Sequence, residues 1–155
     1  MHAVDREVIS QILAWLRSGS RCWLATVAAT WGSSPRPVGS LLGCNSDGVL
    51  VGSLSGGCVE DDLQEKLLNG ELAADHAQLF RYGVTTEETE KFGLPCGGHL
   101  DIIIEPQKVN NQTIDQFEQL YQALHERRWM LRTLDLNSDA VALTSASEPA
   151  PLNWS

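Results

Sequence analysis

Two glycine clusters that each hold one cysteine are the parts of this chain best suited to chemistry. They are Ser55-Gly56-Gly57-Cys58-Val59-Glu60 and Leu94-Pro95-Cys96-Gly97-Gly98-His99. Neighbouring glycines allow bare backbone to approach a ligand closely. Neither thiol belongs to a C-x-x-C pair, so a thioredoxin-type redox couple is not indicated. The plainer interpretation is two tight turns with buried thiols, but the repetition of the pattern favours a binding or reactive role.

A third segment of unusual composition lies upstream, in residues 31–39. It contains Ser33, Ser34 and Arg36, and prolines flank the arginine on both sides. Prolines and glycines fix the shape of a loop, which lowers the entropy cost of holding a ligand. Arg36 presents a planar fork of donors suited to phosphate or carboxylate, and the serine hydroxyls with nearby N–H groups could complete an anion nest. A rigid surface turn with a solvated arginine is the alternative.

The turn formed by Gly56, Gly57 and Cys58 leads into a predicted helix. Free N–H groups and the positive end of the helix dipole lie at such a turn and lower the pKa of a thiol. Three consecutive acidic residues, beginning at Glu60, act in the opposite direction because their charges favour the protonated thiol. They also stabilise the start of the helix.

The second cysteine cluster is sterically open, because Gly97 and Gly98 follow Cys96 directly. A soft thiolate suits a soft metal or a sulfur-transfer reaction. His99 could be a base or a metal ligand, although a single histidine at the start of a strand is more often simply solvated.

Composition indicates one globular domain in a reducing compartment. The chain has 155 residues and a net charge of −9, which makes nucleic acid an unexpected partner. No apolar run is long enough for a transmembrane helix, and we expect a cytoplasmic protein with no membrane partner. Cys22 and Cys44 lie in apolar strand patterns and are predicted to be core residues. The four cysteines fit neither a zinc ribbon nor a disulfide scaffold. Dinucleotide, P-loop, H-E-x-x-H and G-x-S-x-G motifs are all absent from the sequence.

Hydrophobic periodicity predicts an α/β or α+β fold with a mixed sheet flanked by helices in a layered sandwich. Helices are predicted over 5–18, 59–69 and 113–127, and strands over 22–30, 38–44, 49–54, 78–82, 100–105 and 129–136. We expect residues 1–106 to form the main domain, 107–145 a helix–strand extension of it, and 146–155 a linker or loose tail. Pro106 is predicted to end the strand before it, and the strand over 129–136 is predicted to be the last.

Two details of the helices can also be predicted. The second helix is expected to turn Leu63, Leu67 and Leu68 towards the core. The third helix is expected to be capped by Thr113 or Asp115, since both side chains accept hydrogen bonds from backbone N–H groups.

Taken in order, the motifs resemble the XdhC/CoxI family of accessory proteins for molybdenum hydroxylases such as xanthine dehydrogenase. They are Gly32-Ser33-Ser34-Pro35-Arg36-Pro37-x-Gly39, Asp47-Gly48, Gly52-x-x-Ser55-Gly56-Gly57-Cys58-Val59-Glu60 and Gly93-x-Pro95-Cys96-Gly97-Gly98. The similarity runs from about residue 4 to residue 106. Longer members continue into a C-terminal Rossmann-like domain, so the sequence is expected to be a short member or an N-terminal fragment.

The resemblance implies a factor that binds molybdenum cofactor transiently and protects it while a cysteine desulfurase helps to install its sulfido ligand. The factor then delivers it to the apo-enzyme of a molybdenum hydroxylase. Arg36 and the glycine-turn amides suit the phosphate of the cofactor, and Cys58 and Cys96 suit its sulfur and molybdenum atoms. The predicted cofactor-binding residues are Ser33, Ser34, Arg36, Gly56, Gly57, Cys58, Glu60, Cys96, Gly97 and Gly98.

The leading hypothesis is thus a molybdenum-cofactor chaperone without turnover of its own. One alternative is a small thiol-dependent enzyme with Cys58 or Cys96 as nucleophile, activated by His99 or by the helix terminus. Another is a dimerisation or regulatory module whose glycine clusters are only turns. We expect a homodimer, because an exposed sheet edge and the strand over 129–136 offer pairing surfaces. If one ligand is served, Cys58 and Cys96 must share a face with Arg36 at its rim, away from the buried Cys22 and Cys44.

Overall fold

The computed structural model describes residues 3–31, 37–55, 59–83 and 99–147 of the chain. It contains three helices and seven strands within those ranges. The helices are α1 (Ala3–Arg17), α2 (Glu60–Leu68) and α3 (Asn111–His125). The strands are β1 (Cys22–Trp31), β2 (Leu41–Asn45), β3 (Leu50–Gly52), β4 (Gln78–Tyr82), β5 (His99–Gln107), β6 (Trp129–Leu134) and β7 (Val141–Ala146).

Five strands form one sheet in the order β3-β2-β1-β5-β4, and β6 pairs with β7 in a separate two-stranded sheet. Every described pairing is antiparallel. The predicted layers of helices on a sheet are confirmed. No parallel pair occurs among the described strands, so the predicted mixture of parallel and antiparallel strands is not found there. Of the two predicted fold classes, α/β and α+β, the second therefore applies.

Apolar side chains bury both faces of the sheet, with β1 at its centre. Trp23, Ala25 and Val27 pack on the face covered by α2, whereas Cys22 and Leu24 pack on the face covered by α1 and α3. Successive residues of a strand point to opposite faces. A strand covered on both faces is therefore apolar at nearly every position, as β1 is.

The helices bury the stripes that their periodicity predicts, with one exception. Ile12 and Leu16 of α1 and Leu63 and Leu67 of α2 are buried, but Leu68 is 46% exposed, so its predicted inward orientation is wrong. Leu68 is the last residue of α2, and the helix has turned it away from the sheet there. Glycines end α1 and α2 as expected, with positive φ at Gly70 after α2.

Three predicted boundaries are wrong for identifiable reasons. The third helix begins earlier than expected, and Asn110 caps it by accepting a hydrogen bond from the Thr113 N–H at 2.8 Å. Strand β5 continues through Pro106 to Gln107. Its pairing with β4 ends at Ile104, so among the described residues no strand pairs with Pro106 on that side, and the missing N–H is tolerated. Strand β2 begins only at Leu41, after a turn.

Strand β6 is not the last strand, because β7 follows and pairs with it from Trp129↔Ala146 to Leu134↔Val141. A buried ion pair fixes this hairpin to the large sheet. Arg132 donates to both carboxylate oxygens of Glu105, at 3.0 and 2.7 Å. The described chain therefore remains ordered in a strand up to Ala146, where a loose tail was expected to begin.

Candidate functional site

The strand directions bring five strand termini to one end of the sheet, which we call the motif end. Trp31, Leu41, Gly52, Tyr82 and His99 are the strand termini that face this way, although Leu41 lies opposite Thr26, in the middle of β1, and Gly52 opposite Leu42. Residues 32–36 directly follow β1, and residues 84–98 join β4 to β5. Residues 56–58 begin four positions after β3, which ends at Gly52. All three segments selected from the sequence therefore attach to the same end.

The first and third segments attach at adjacent positions. Trp31 and His99 are direct partners in the β1–β5 pairing, and Tyr82 and Leu100 are partners in the neighbouring β4–β5 pairing. Partners in an antiparallel pair have Cα atoms about 5 Å apart. The flanking residues of both segments thus lie within one or two strand spacings of each other.

The second segment starts at the opposite edge of the sheet. Strands β3 and β4 are separated by four inter-strand gaps, roughly 19 Å at the usual spacing. Leu54 and Val59, which are fully buried, pack in the same core as Leu100. The hydroxyl of Tyr82 donates to Asp62 Oδ2 of α2 at 2.8 Å. The chain therefore crosses the sheet towards β4 between β3 and α2, which carries the flanks of the second segment towards the other two.

Gly52 makes the departure from β3 possible. Its φ is +87°, a left-handed value, and a Cβ on it would overlap the carbonyl oxygen of Leu41 and lie 2.6 Å from Val8 Cγ2. Only glycine fits both the torsion and the close approach. The glycine at the start of the Gly52-x-x-Ser55 motif thus has a backbone cause.

Ser55 and Glu60 form a buried network around the second segment. Glu60 Oε1 accepts hydrogen bonds from the Ser55 hydroxyl at 2.6 Å, from the Ser55 N–H at 2.9 Å and from the Leu54 N–H at 3.3 Å. The Ser55 hydroxyl oxygen accepts from the Val59 N–H at 3.1 Å. The ends of the three-residue segment 56–58 are thereby joined to each other and to α2.

The second carboxylate oxygen of Glu60 stands apart from this network. Glu60 is 7% exposed, and Oε2 is buried without a hydrogen-bond partner among the described residues. A buried polar atom of this kind is uncommon in folded proteins. It gives the motif end one acceptor that the protein itself leaves unused in its described part.

An ion pair that the sequence patterns did not single out lies beside this end. Arg81 donates from Nε and Nη2 to the two carboxylate oxygens of Asp101, at 2.6 and 3.0 Å, and Asp101 is 1% exposed. The hydrogen bond to Asp101 raises the pKa of Arg81. The sequence held a signal, since Asp101 interrupts an otherwise apolar strand and a buried carboxylate requires a partner.

His99 is not the solvated side chain that was expected, because it is only partly exposed and its Nε2 is buried. Strand β5 begins at this residue and pairs it with Trp31 in the interior of the sheet. Its position in a central strand, not at an edge, explains the burial.

Glu60 is the one predicted cofactor-binding residue within the described ranges. The other nine, Ser33, Ser34, Arg36, Gly56, Gly57, Cys58, Cys96, Gly97 and Gly98, lie outside them. Their convergence stays a prediction. The predicted burial of Cys22 and Cys44 is confirmed. Burial raises the pKa of Cys22 to about 12, with a smaller contribution from Cys44, and that of Cys44 to about 11.

The described residues were also compared with the requirements for a metal site, a membrane span and a ligand cleft. No group of three or more His, Cys, Asp or Glu in the described ranges could hold a metal ion. None of the helices described is both long and apolar enough to cross a membrane. A polar cleft of about 240 Å³, lined among others by Lys108, Thr113 and Ser138, lies beside the β6–β7 hairpin and not at the motif end.

Comparison with known protein families gives a match to part of the chain. Residues 15–83 match the model of the XdhC and CoxI family. Over this segment, which is less than half of its length, the chain is similar to the XdhC and CoxI family. The match includes the first two of the three segments at the motif end and stops just before residues 84–98.

Two longer proteins resemble the chain along most of its length. It is 24% identical over 127 residues to a Bacillus subtilis protein named as a probable subunit of xanthine dehydrogenase, and the alignment covers 81% of the chain and 38% of that protein. The crystal structure of a xanthine dehydrogenase from Bacillus halodurans superposes with a TM-score of 0.62 at 21% identity, over 92% of the chain and 46% of the other. The first likeness extends the sequence match beyond residue 83, and the second supports the fold. The chain spans less than half the length of either protein.

Proposed function

We propose that this chain is an XdhC/CoxI-type factor, which binds molybdenum cofactor and assists its sulfuration and insertion into a xanthine dehydrogenase-like molybdoenzyme. The observation that carries the proposal is the attachment of all three motif segments to one end of the antiparallel sheet. The cofactor has an anionic phosphate at one end and soft sulfur and molybdenum atoms at the other. Binding it needs different side chains from different segments close together. The positions of the residues that flank the three segments support such an arrangement.

The described residues are compatible with such a ligand. The pterin part of the cofactor carries N–H donors, and Glu60 Oε2 is a buried acceptor without a partner among the described residues. We assign the cofactor phosphate to Arg36, Ser33 and Ser34, and the metal and sulfur end to Cys58 and Cys96. The glycines beside the two thiols supply backbone N–H groups and space. When bound, the cofactor would supply the molybdenum–sulfur chemistry, and the chain would orient and shield it.

The partners follow from this role. We infer that the chain meets the apo-enzyme of a molybdenum hydroxylase and a cysteine desulfurase in the cytoplasm, and that it has no catalytic turnover of its own. The two relatives named as xanthine dehydrogenase proteins support the first partner. A homodimer remains part of the proposal, and the exposed β6 side chains of Trp129 and Leu131 offer it an apolar surface.

Co-purification with the cofactor tests the proposal. The chain is produced in a host that synthesises molybdenum cofactor, and molybdenum and pterin are measured per chain in the purified protein. We expect both to be retained, and Arg36→Ala or the Cys58→Ala/Cys96→Ala double variant to lose most of them. Arg17→Ala is the matched control, since Arg17 is an exposed arginine paired on the surface with Glu118. Retention no higher than that of serum albumin would refute the proposal.

A further inference from the structure

The β6–β7 hairpin has one face on the core and one exposed apolar face. The inner face carries Arg132, which binds Glu105, and Leu143, which packs against the core between the sheet and helices α1 and α3. Alternate residues of a strand point to opposite faces. Trp129 and Leu131 therefore lie on the outer face, where they are 46% and 45% exposed. The β7 residues that pair with them are uncharged as well, so the outer face is a continuous apolar surface.

The two edges of the hairpin differ in what adjoins them. At the β7 edge, the carbonyl oxygen of Val141 accepts a hydrogen bond from Gln116 of α3 at 3.3 Å. At the β6 edge, no strand of the described chain pairs with β6 on the side away from β7. The Asp135 N–H donates to Ala140, and the direction of backbone hydrogen bonds alternates along an antiparallel strand. The N–H and C=O groups of Leu134, and of every second residue before it in β6, therefore point to the open edge. Such an edge is a template for pairing with another chain.

We propose that β6 pairs antiparallel with β6 of a second copy of this chain, about a two-fold axis at Leu131, and forms a four-stranded sheet across the dimer. This inference deepens the homodimer in the proposed function and rests on that part of it alone. A two-fold axis perpendicular to the sheet keeps the two outer faces on the same side. Each Leu131 then meets its own copy in a pair without hydrogen bonds, and Trp129 meets Thr133 of the partner subunit.

Charge complementarity selects this register. Arg127 and Asp135 are exposed, flank β6 on its two sides, and each lie four positions from Leu131. With Leu131 opposite its own copy, each Arg127 lies opposite Asp135 of the partner subunit, so the dimer gains two pairs of opposite charge. A shift of the axis by one residue would bring Arg132 opposite Arg128 of the partner subunit or opposite its own copy. Like charges directly opposite each other destabilise a strand pair.

Disulfide formation tests this register in the full chain without cofactor. Leu131→Cys places two thiols in a non-hydrogen-bonded pair, whose Cα atoms lie about 4.5 Å apart, within the range of a disulfide. We expect air oxidation to give a dimer joined through position 131, as mapped by peptide mass spectrometry. Thr133→Cys is the matched control, since it is exposed on the same face of β6. Its two copies would lie roughly 14 Å apart at about 3.4 Å per residue and should not join.

Sedimentation equilibrium over a range of protein concentrations tests the association itself. We expect a reversible dimer, and Leu131→Lys should weaken it by about tenfold or more, because it places two like charges at the centre of the interface. Leu79→Lys is the matched control, since Leu79 is an exposed leucine on β4, an edge strand of the large sheet. It should leave the dimer unchanged.

Three results would overturn the inference. They are a wild-type chain that stays monomeric at every concentration, equal cross-linking of Leu131→Cys and Thr133→Cys, and a dimer that is lost in Leu79→Lys but kept in Leu131→Lys. Neither measurement involves cofactor. Loss of the dimer would therefore leave the co-purification result standing, and failure of co-purification would leave the dimer standing.

Discussion

At the scale of single residues, charged groups inside this chain are held by specific partners. Asp101 and Glu105, both in β5, are almost fully buried, and each accepts two hydrogen bonds from one arginine. The sequence shows these carboxylates within an apolar strand, but their partners lie 20 and 27 positions away. Which arginine meets which carboxylate depends on strand register, which composition and spacing do not specify.

The Arg132–Glu105 pair should be important for stability. The side chains are 19% and 6% exposed, so Arg132→Met leaves a buried carboxylate without its counter-ion. We expect a loss of about 3 kcal/mol in the free energy of unfolding, measured by urea denaturation. Arg17→Met breaks the exposed pair with Glu118 and should cost less than about 1 kcal/mol. Equal losses of unfolding free energy in the two variants would contradict the greater contribution of the Arg132–Glu105 pair to stability.

The two core thiols should make the chain less stable at alkaline pH. The pKa values of Cys22 and Cys44, about 12 and about 11, lie above the ordinary value of 9.0. Well below pH 9 both thiols are protonated in the folded and unfolded states, so they cause no pH dependence there. Above pH 9 the unfolded chain releases protons that the folded chain retains, and stability falls by up to about 1.4 kcal/mol per thiol and pH unit.

Urea denaturation from pH 8 to pH 10.5 measures this fall. The Cys22→Ala/Cys44→Ala double variant starts from a lower stability but should lose less of it over the same range. The comparison is necessary because tyrosine and lysine side chains also titrate there. Parallel curves for wild type and double variant would show that the thiols are not the cause.

At the scale of elements, sequence patterns predict regular structure well and its boundaries less well. The apolar stripe of α1 predicted a helix correctly, and the continuous apolar run of β1 predicted a strand correctly. Burial on one side and burial on both sides give different periodicities of apolar residues in the sequence. The cap at Asn110 and the continuation of β5 through Pro106 depend on tertiary context. Strand β7, with alternate small residues and half-buried side chains, has a pattern too weak to identify before its partner β6 is known.

The exit from β3 leads to an element-scale prediction. Gly52→Ala combines a left-handed torsion with an overlap against backbone, and we expect a loss of about 2–4 kcal/mol in unfolding free energy. Gly19→Ala, after α1, has a similar φ of +77° but nothing within 4 Å of the added Cβ. It should cost about 1 kcal/mol. Thermal and urea unfolding of the two variants distinguish the cost of the left-handed torsion from the cost of the steric overlap. Equal losses of unfolding free energy in the two variants would contradict the close approach of Leu41 and Val8 to Gly52.

At the scale of the whole molecule, the two ends of the sheet differ in what adjoins them. The residues that flank the three motif segments lie towards one end, and the β6–β7 hairpin is fixed near the other through Arg132 and Glu105. The sequence motifs predict that the segments share one end, and the directions of the described strands agree with this for their flanking residues. The positions of the thiols within the segments depend on loop conformations that neither periodicity nor register determines.

The central claim is that the segments form one site in one chain, and a cross-link between Cys58 and Cys96 tests it most directly. A short bis-maleimide is added to the native protein, in which the buried Cys22 and Cys44 should not react. The products are separated by size and mapped by peptide mass spectrometry. We expect a cross-linked monomer in which Cys58 and Cys96 are joined to each other. Single adducts alone, or cross-links only between two chains, would contradict a shared site within the protomer.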